Sequence, residues 1–387
     1  MATTKVTTDV IDMSGNAGGL TWVKGTTAER EAAPSTGVGN LRENTETKRT
    51  EIYTDQTGTS EWRNLKESAV YDDSYETEYL VVAGGGGGGY AFSGGGGAGG
   101  YLTNFGSTKI VLATATAYTI TVGAGGAGGI YSSSTLPTNG VNSVFSGGAG
   151  FTSSGGGTGG NNGADDATGG GSGGGASRNN PNSGVGPSPY AQAGGANGTP
   201  SSQGNIGGEA YYPTPNSYGW FSGGGGGAGG AGENGEDTVY ANGGAGGIGL
   251  QNNIDGNNYF YAGGGGGDGT RISSGAIAGG AGGSSIGGTG GHYSTSTELA
   301  PTDASPVNRG SGGGGGTNYD VPANAIGGAG SSGIIILRNK RATADVSSGV
   351  TVNGIAGTGT RSGVAIGSGE YVYTITLAGG ADTITFN

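Results

Sequence analysis

Tyr79-Leu80-Val81-Val82-Ala83 runs into six glycines, Gly84 to Gly89, and the same region closes in reverse, with Gly333 running into Ile334-Ile335-Ile336-Leu337-Arg338. An apolar strand thus leads into a stretch made largely of glycine, and another leads out. Blocks such as Gly94 to Gly97, Gly223 to Gly227, Gly263 to Gly267 and Gly312 to Gly316 hold many of the chain's 99 glycines, without a strict repeat. Glycine at this density usually signals disorder, because ordering a glycine loses more backbone entropy than ordering any other residue. Two features oppose that reading. Apolar anchors interrupt the tracts, among them Tyr101-Leu102, Ile110-Val111-Leu112, Tyr118 to Val122, Val144-Phe145 and Tyr259-Phe260-Tyr261, whereas flexible linkers are serine-rich and anchor-free. The tracts also border Ala more than Ser, as in Gly123-Ala124-Gly125-Gly126-Ala127-Gly128-Gly129.

A run without side chains takes up the extended helix of three residues per turn, whose N–H and C=O groups all point sideways. One such helix stays solvated. Several side by side bond one another, and their backbones approach closely only where Cβ is absent. The sequence therefore predicts a mainly β and irregular protein: a small N-terminal β module, a central polyglycine II helix bundle with strand clamps, and a small C-terminal β domain. The divisions are 1–24 for an N-terminal pairing segment, 25–67 for the β module, 68–79 for an acidic connector, 80–338 for the glycine-rich domain and 339–387 for the C-terminal β domain.

Composition narrows the function. Apolar residues are 32% and charged residues 11%, so a conventional core is thin and backbone bonding or a partner chain must supply stability. A net charge of -12 without any basic block argues against nucleic acid. With no cysteine, disulfides, thiolate metal sites and a cysteine nucleophile are excluded. No run reaches the length of a membrane span, and Met1 to Val10 lacks an apolar core of signal-peptide length. Synthesis in the cytosol and release by lysis are expected, which points to a virion component.

Residues 25–67 carry Gly25-Thr26-Thr27-Ala28-Glu29-Arg30, Gly37, Leu41-Arg42-Glu43-Asn44-Thr45, Glu51-Ile52-Tyr53 and Glu61-Trp62-Arg63, read as three short antiparallel strands with turns near Glu46 and Gly58. This pattern resembles the small β module near the N-termini of bacteriophage tail-fibre and virion-appendage proteins. Those modules commonly place proline after the Arg, where this chain has Glu31, a departure that loosens the first turn and leaves the strands intact. The Tyr-Leu-Val-Val-Ala-Gly opening, the Tyr118 to Gly126 centre and the Gly-Ile-Ile-Ile-Leu-Arg close resemble the glycine-rich domain of phage tail fibres and some bacterial surface proteins. They are similar in style to phage adhesins whose tips are sandwiches of polyglycine II helices with receptor-reading loops between them. That resemblance implies a homotrimer, attachment to a phage virion protein, and contact with a bacterial surface glycan or outer-membrane protein.

Catalytic and metal motifs are weak. Within 80–338, where glycine is near one residue in three, dinucleotide-type Gly patterns arise by chance in about one window of twenty-seven, and no Gly-Lys pair forms a phosphate loop. The lone His292 has no evident partner and reads as a solvated loop residue. Asp72-Asp73 and Asp165-Asp166 lack the rigid aromatic cleft of a glycosidase. Asp268 and Asp382 each approach the calcium nonapeptide pattern, which needs tandem copies that are absent here. No catalytic residue, metal or cofactor is expected.

Aromatic residues embedded in glycine are more informative. They either pack over the glycine lattice and close its edges, or project from loop tips onto a receptor as rigid, low-entropy contact area. Candidate receptor-binding residues are Tyr211, Tyr212, Tyr218, Trp220, Phe221, Tyr259, Tyr261 and Tyr293, with Tyr211 to Trp220 the best single loop. Candidate attachment residues are Val6, Val10, Ile11 and Trp22. The reading is a non-enzymatic phage fibre or adhesin located in the virion. Its alternatives are a capsid-decorating or filament protein without receptor contact, a polysaccharide depolymerase, and an ice-binding lattice, for which the tract spacing is too irregular.

Overall fold

The computed structural model describes residues 23–25, 41–44, 49–54, 61–64, 74–161, 167–177, 203–210, 219–236, 242–271, 277–293, 298–317 and 326–387. The chain divides into two compact units, Met1–Asp73 and Ser74–Asn387. In the first, strands β1 (Val23–Gly25), β2 (Leu41–Asn44), β3 (Arg49–Thr54) and β4 (Glu61–Asn64) form one sheet in that order. The pairs β2–β3 and β3–β4 are antiparallel, and β1 adds in parallel to β2. Asn44 Nδ2 donates to Glu51 Oε1 across β2 and β3, at 3.0 Å. The turns expected at Glu46 and Gly58, and Val6, Val10, Ile11 and Trp22, lie outside the described residues.

The second unit joins a β-sandwich to a glycine lattice. Its strands are β5 (Ser74–Val82), β6 (Tyr101–Thr103), β7 (Ile110–Ala113), β8 (Ala117–Thr121), β9 (Ser143–Phe145), β10 (Phe151–Ser153), β11 (Gly219–Phe221), β12 (Leu250–Asn252), β13 (Tyr259–Tyr261), β14 (Gly269–Arg271), β15 (His292–Tyr293) and β16 (Glu298–Leu299). They continue with β17 (Ile334–Asn339), β18 (Thr343–Val346), β19 (Thr351–Val352), β20 (Ile355–Ala356), β21 (Gly359–Ser362), β22 (Val364–Gly367), β23 (Glu370–Leu377) and β24 (Thr383–Phe386). The two apolar clamps pair with each other, with Val82 opposite Ile334 and Leu80 opposite Ile336 in an antiparallel ladder. They are the middle of a sheet ordered β20-β19-β23-β17-β5-β6, to which β7 adds on β5 and β22 on β23.

One face of that sheet, through Tyr75, Tyr79, Val81, Ile335, Leu337, Tyr373 and Ile375, packs on a second sheet ordered β10-β9-β8-β24-β18-β21, which contributes Tyr118, Ile120, Phe145, Val346, Ile384 and Phe386. The opposite face, through Leu80, Val82, Ile334, Ile336 and Val372, meets Ile254, Tyr261, Ala262 and Ala98. Burial on both faces is why the clamps read as unbroken apolar runs rather than alternating ones.

The sequence boundaries at 79/80 and 338/339 both fall inside strands, β5 and β17. The described part of the connector, residues 74–79, is the start of β5. Of its acidic residues, Glu76 is exposed and the buried Glu78 is accommodated by ion pairing. Arg338 on β17 lies 3.5 Å from Glu78 on β5 and donates through Nε to Glu370 on β23 at 3.0 Å, while Lys109 reaches Glu370 at 3.3 Å. The Arg338 hydrogen bond, ahead of its charge and that of Lys109, holds the Glu370 carboxyl below its ordinary value of 4.5. A carboxylate with a depressed folded pKa stabilises above the unfolded value, and that contribution disappears as pH falls through the folded one. Thermal melts across pH 7 to 3 are therefore expected to show a falling midpoint below about pH 4.5. Glu370→Gln is expected to melt lower at pH 7, by about 1–2 kcal/mol, with a shallower acid limb. An unchanged acid limb in that variant would show that other carboxylates govern it.

Between these strands the chain forms the lattice. The N–H groups of Gly84 to Gly89 donate in rotation to three neighbours: Gly84 and Gly87 to Val141 and Thr138, Gly85 and Gly88 to Ser331 and Gly328, Gly86 and Gly89 to Gly97 and Gly94. Their carbonyls accept in the same rotation from Gly156 and Gly159, from Gly126 and Gly129, and from Gly313 and Gly316. A hydrogen-bonding period of three with six surrounding segments is the polyglycine II arrangement expected of a side-chain-free helix. Gly282, on an outer helix, has φ −69° and ψ 140°, within the same extended basin.

Four rows of helices stack in cross-section. The first holds 138–142, 154–160, 171–177 and 205–209, and the second 123–130, 84–89, 94–100, 222–227 and 230–236. The third holds 326–333, 311–316, 263–268 and 242–249, and the last 302–305, 286–291 and 278–284. Helices inside the stack are glycine because a Cβ has no room: at Gly265 it would lie 2.0 Å from the Gly313 carbonyl oxygen. Helices at the rim need glycine only on their inner faces. In Gly123 to Gly129, Ala124 and Ala127 are exposed while Gly123, Gly126 and Gly129 are buried, one outward Cβ per three-residue turn.

Candidate functional site

Chain direction sorts the connections between lattice helices into two ends. Segment 123–129 runs parallel to 84–89, since Gly126 and Gly129 bond to Gly85 and Gly88, whereas 138–142 runs against it, since Gly84 and Gly87 bond to Val141 and Thr138. Followed through the lattice, this alternation brings 100–123, 142–154, 227–230, 249–263, 283–286, 305–311 and the exit at Gly333 to the end that carries the sandwich. At the other end lie the Tyr90–Ser93 turn and the Ile130–Pro137 loop, and the lattice is left and re-entered there at Asn161 and Ala167, Ala210 and Gly219, Glu236 and Asn242, Arg271 and Ile277, and Thr317 and Ile326. Connections thus occur at both ends: at one they are built into or beside the packed sheets, and at the opposite one they lie outside the sandwich.

A small sheet ordered β11-β14-β15-β16 stands at this loop end. Trp220 is in register with Thr270, and Thr270 with Tyr293, so two of the candidate aromatics occupy one cross-strand row. Phe221 is 1% exposed and is packing rather than contact surface. Tyr211, Tyr212 and Tyr218 lie outside the described residues, between Ala210 and Gly219. Tyr259 and Tyr261 are at the sheet end, away from the others. Tyr261 is 1% exposed, and burial pushes its hydroxyl up to about 12, while Arg309 stacks over both rings at 4.1 and 4.6 Å. The candidate set is thus divided, and buried members behave as lattice-closing residues. Tyr90 and Phe92 do the same, at 8% and 3% exposed.

His292 stands in β15 and is half-buried, not on a solvated loop, and burial lowers its pKa toward the neutral form. Asp382 is a structural acceptor: Ser347 Oγ at 2.6 Å, the Gly379 N–H at 2.6 Å and the Gly349 N–H at 3.2 Å all donate to it, and these bonds lower its pKa. Asp268 is fully buried and accepts from Thr270 Oγ1 at 3.0 Å. Among the described residues no group of three or more His, Asp or Glu is placed to hold a metal. The carboxylate pairs Asp72-Asp73 and Asp165-Asp166 lie outside the described residues.

A family model described as a glycine-rich domain matches residues 67–340, from just before β5 to just after the β17 clamp. The chain belongs to the glycine-rich domain family. No curated protein and no solved structure matches it. The match takes in both clamps and every lattice helix of the glycine-rich domain, and the strands after Lys340 complete its sandwich from outside the matched span. Sequence reasoning missed one surface of this domain: Ile130, Tyr131, Leu136 and Ile326 are 38% to 48% exposed at the loop end. The available signal was the outward row Ala124, Ala127, Ile130, which continues the three-residue period to the rim.

Proposed function

We propose that this chain is a fibre or appendage protein of a bacteriophage virion that binds the host surface through the loop end of its glycine-rich domain. The observation that carries this reading is the difference between the two ends of the lattice: one is closed by the sandwich, and the connections at the other lie outside it. Hydrogen-bonded glycine helices form a stiff block, and variable loops displayed on one face of a stiff block lose little entropy on binding. A homotrimer would present three such ends, and several weak contacts would sum to firm adsorption. Light scattering at three times the chain mass of 36.9 kDa is the expected result for the trimer.

The purified chain is expected to saturate bacterial envelopes of its host and to compete with particle adsorption. Replacing residues 211–218 by a Gly-Ser segment of equal length is expected to weaken envelope binding about tenfold, corresponding to one lost aromatic contact set. Wild-type binding by that variant, or no saturable binding across a panel of envelopes, rejects receptor recognition and favours a purely structural fibre. Release of reducing sugars from envelope polysaccharide would instead favour a depolymerase.

A further inference from the structure

The Ile130–Leu136 loop is a built, uncharged surface at the loop end. Its base is closed by reciprocal backbone bonds, the Ile130 N–H to the Thr135 carbonyl at 2.8 Å and the Thr135 N–H to the Ile130 carbonyl at 2.9 Å. Tyr131 opens a single 3-10 turn, Tyr131–Ser133, closed by the Ser134 N–H donating to the Tyr131 carbonyl at 3.0 Å. Tyr131 is 40% exposed and is backed by Tyr90, which is buried, with ring centroids 5.8 Å apart. Ile130 also bridges to Ile326 on the neighbouring rim helix, so Ile130, Tyr131, Leu136 and Ile326 share one corner of the lattice. Around the ring the loop carries only hydroxyl side chains, the exposed Ser132, Ser133, Ser134 and Thr135.

Two facts bear on what this surface takes. First, Ser133 Oγ and Thr135 Oγ1 lie within hydrogen-bond distance of each other at 2.8 Å, so these two of the loop's exposed hydroxyls are held in a fixed arrangement. Second, no charged residue occurs between Lys109 and Asp165, and the chain as a whole is acidic. A phosphorylated or carboxylated ligand would find no cation within this loop, and a purely apolar partner would strip water from its exposed hydroxyls. A ring with an apolar face and hydroxyls at its edge satisfies both constraints.

We propose that this corner is a subsite for an uncharged sugar ring, stacked on Tyr131 and hydrogen-bonded by the hydroxyls of Ser132 to Thr135. The proposal rests on the receptor-binding reading and adds to it the ligand class and the residues. Its test is an array of neutral and anionic oligosaccharides probed with the full-length chain, Tyr131→Ala and Tyr131→Phe. The expected result is saturable binding to neutral oligosaccharides, weakened about tenfold in Tyr131→Ala and held near wild type in Tyr131→Phe, which keeps the stacking face. Thermal melts of both variants establish that the lattice is intact, and should Tyr131→Ala melt early, the Phe variant and the neutral-over-anionic preference decide. Retention of only anionic glycans, of none, or unchanged binding by Tyr131→Ala overturns the proposal. If the same chain still saturates host envelopes, receptor recognition stands and its ligand is a protein.

Discussion

Gly86→Ala is expected to abolish folding of the glycine-rich domain, although the change adds one methyl group to a chain that is already rich in alanine. A Cβ at Gly86 would lie 2.1 Å from the carbonyl oxygen of Gly157, 2.6 Å from its carbon and 2.9 Å from the Gly156 oxygen. These are main-chain atoms, so no side chain can rotate away. The segment that carries them is itself fixed, with the N–H groups of Gly156 and Gly159 donating to Gly84 and Gly87 and that of Gly157 donating to Ser172. Making room means displacing one helix of the second row from its neighbour in the first, which breaks several backbone bonds together and leaves buried donors unpaired. Loss of more than about 4 kcal/mol is expected from overpacking combined with orphaned polar groups.

The control is Gly380→Ala, in the turn before β24, where a Cβ meets nothing within 4 Å and the backbone is outside the left-handed region. That change is expected to be neutral or to stabilise by about 0.4–1 kcal/mol through the unfolded chain. Denaturant melts of the two variants beside wild type make the comparison. A Gly86→Ala protein that melts within a few degrees of wild type would mean the lattice yields to side chains, and its rigidity would no longer support a display function.

How much of this was readable in advance depends on whether side chains mark the contact. The clamps were legible because Leu80 to Val82 and Ile334 to Leu337 are apolar on both faces, and only a strand covered on both sides accommodates that. The three-residue turn was legible in Gly123 to Gly129, where alanine recurs at the one outward position per turn. Lattice adjacency was not. Nothing in Gly84 to Gly89 distinguishes the segment at Gly94 from the one at Gly313, because backbone alone specifies no partner, and connection lengths and phase decide it. The start of β5 was hidden by its acidic residues: Glu78 is buried in a strand because Arg338, 260 positions later, is beside it. The division of the aromatics followed the same logic. Tyr259 and Tyr293 look alike in sequence, and their separation to opposite ends depends on how many times the chain has reversed between them.

Ending the chain after Lys340 is expected to leave the glycine-rich domain without a cooperative fold, even though the family match stops there. β17 would lose β23, which pairs with it from Ile335 opposite Ile375 to Asn339 opposite Tyr371, and β8 would lose β24, which pairs Thr119 with Thr383. The core between the two sheets would lose Val350, Val352, Tyr373, Ile375, Ile384 and Phe386, every one at 0% exposure. Phe386 alone packs edge-on against Tyr373 and Tyr75, with centroids 5.0 and 5.5 Å away. Phe386→Ala is expected to destabilise by about 3–5 kcal/mol, the range for emptying a fully buried aromatic site.

The coupling should be visible in the intact chain as well. The helix 84–89 continues directly from β5, and 326–333 runs directly into β17, so the clamps hold two adjacent lattice helices in phase. Near-UV circular dichroism, reporting the core tyrosines, and amide hydrogen exchange of Gly84 to Gly89 are therefore expected to lose structure at one midpoint in wild type and at one lower midpoint in Phe386→Ala. A chain ending at Lys340 whose tract amides stay protected would separate lattice from sandwich. In that case backbone bonding alone would hold the glycine helices in register, and the C-terminal strands would serve some purpose other than their closure.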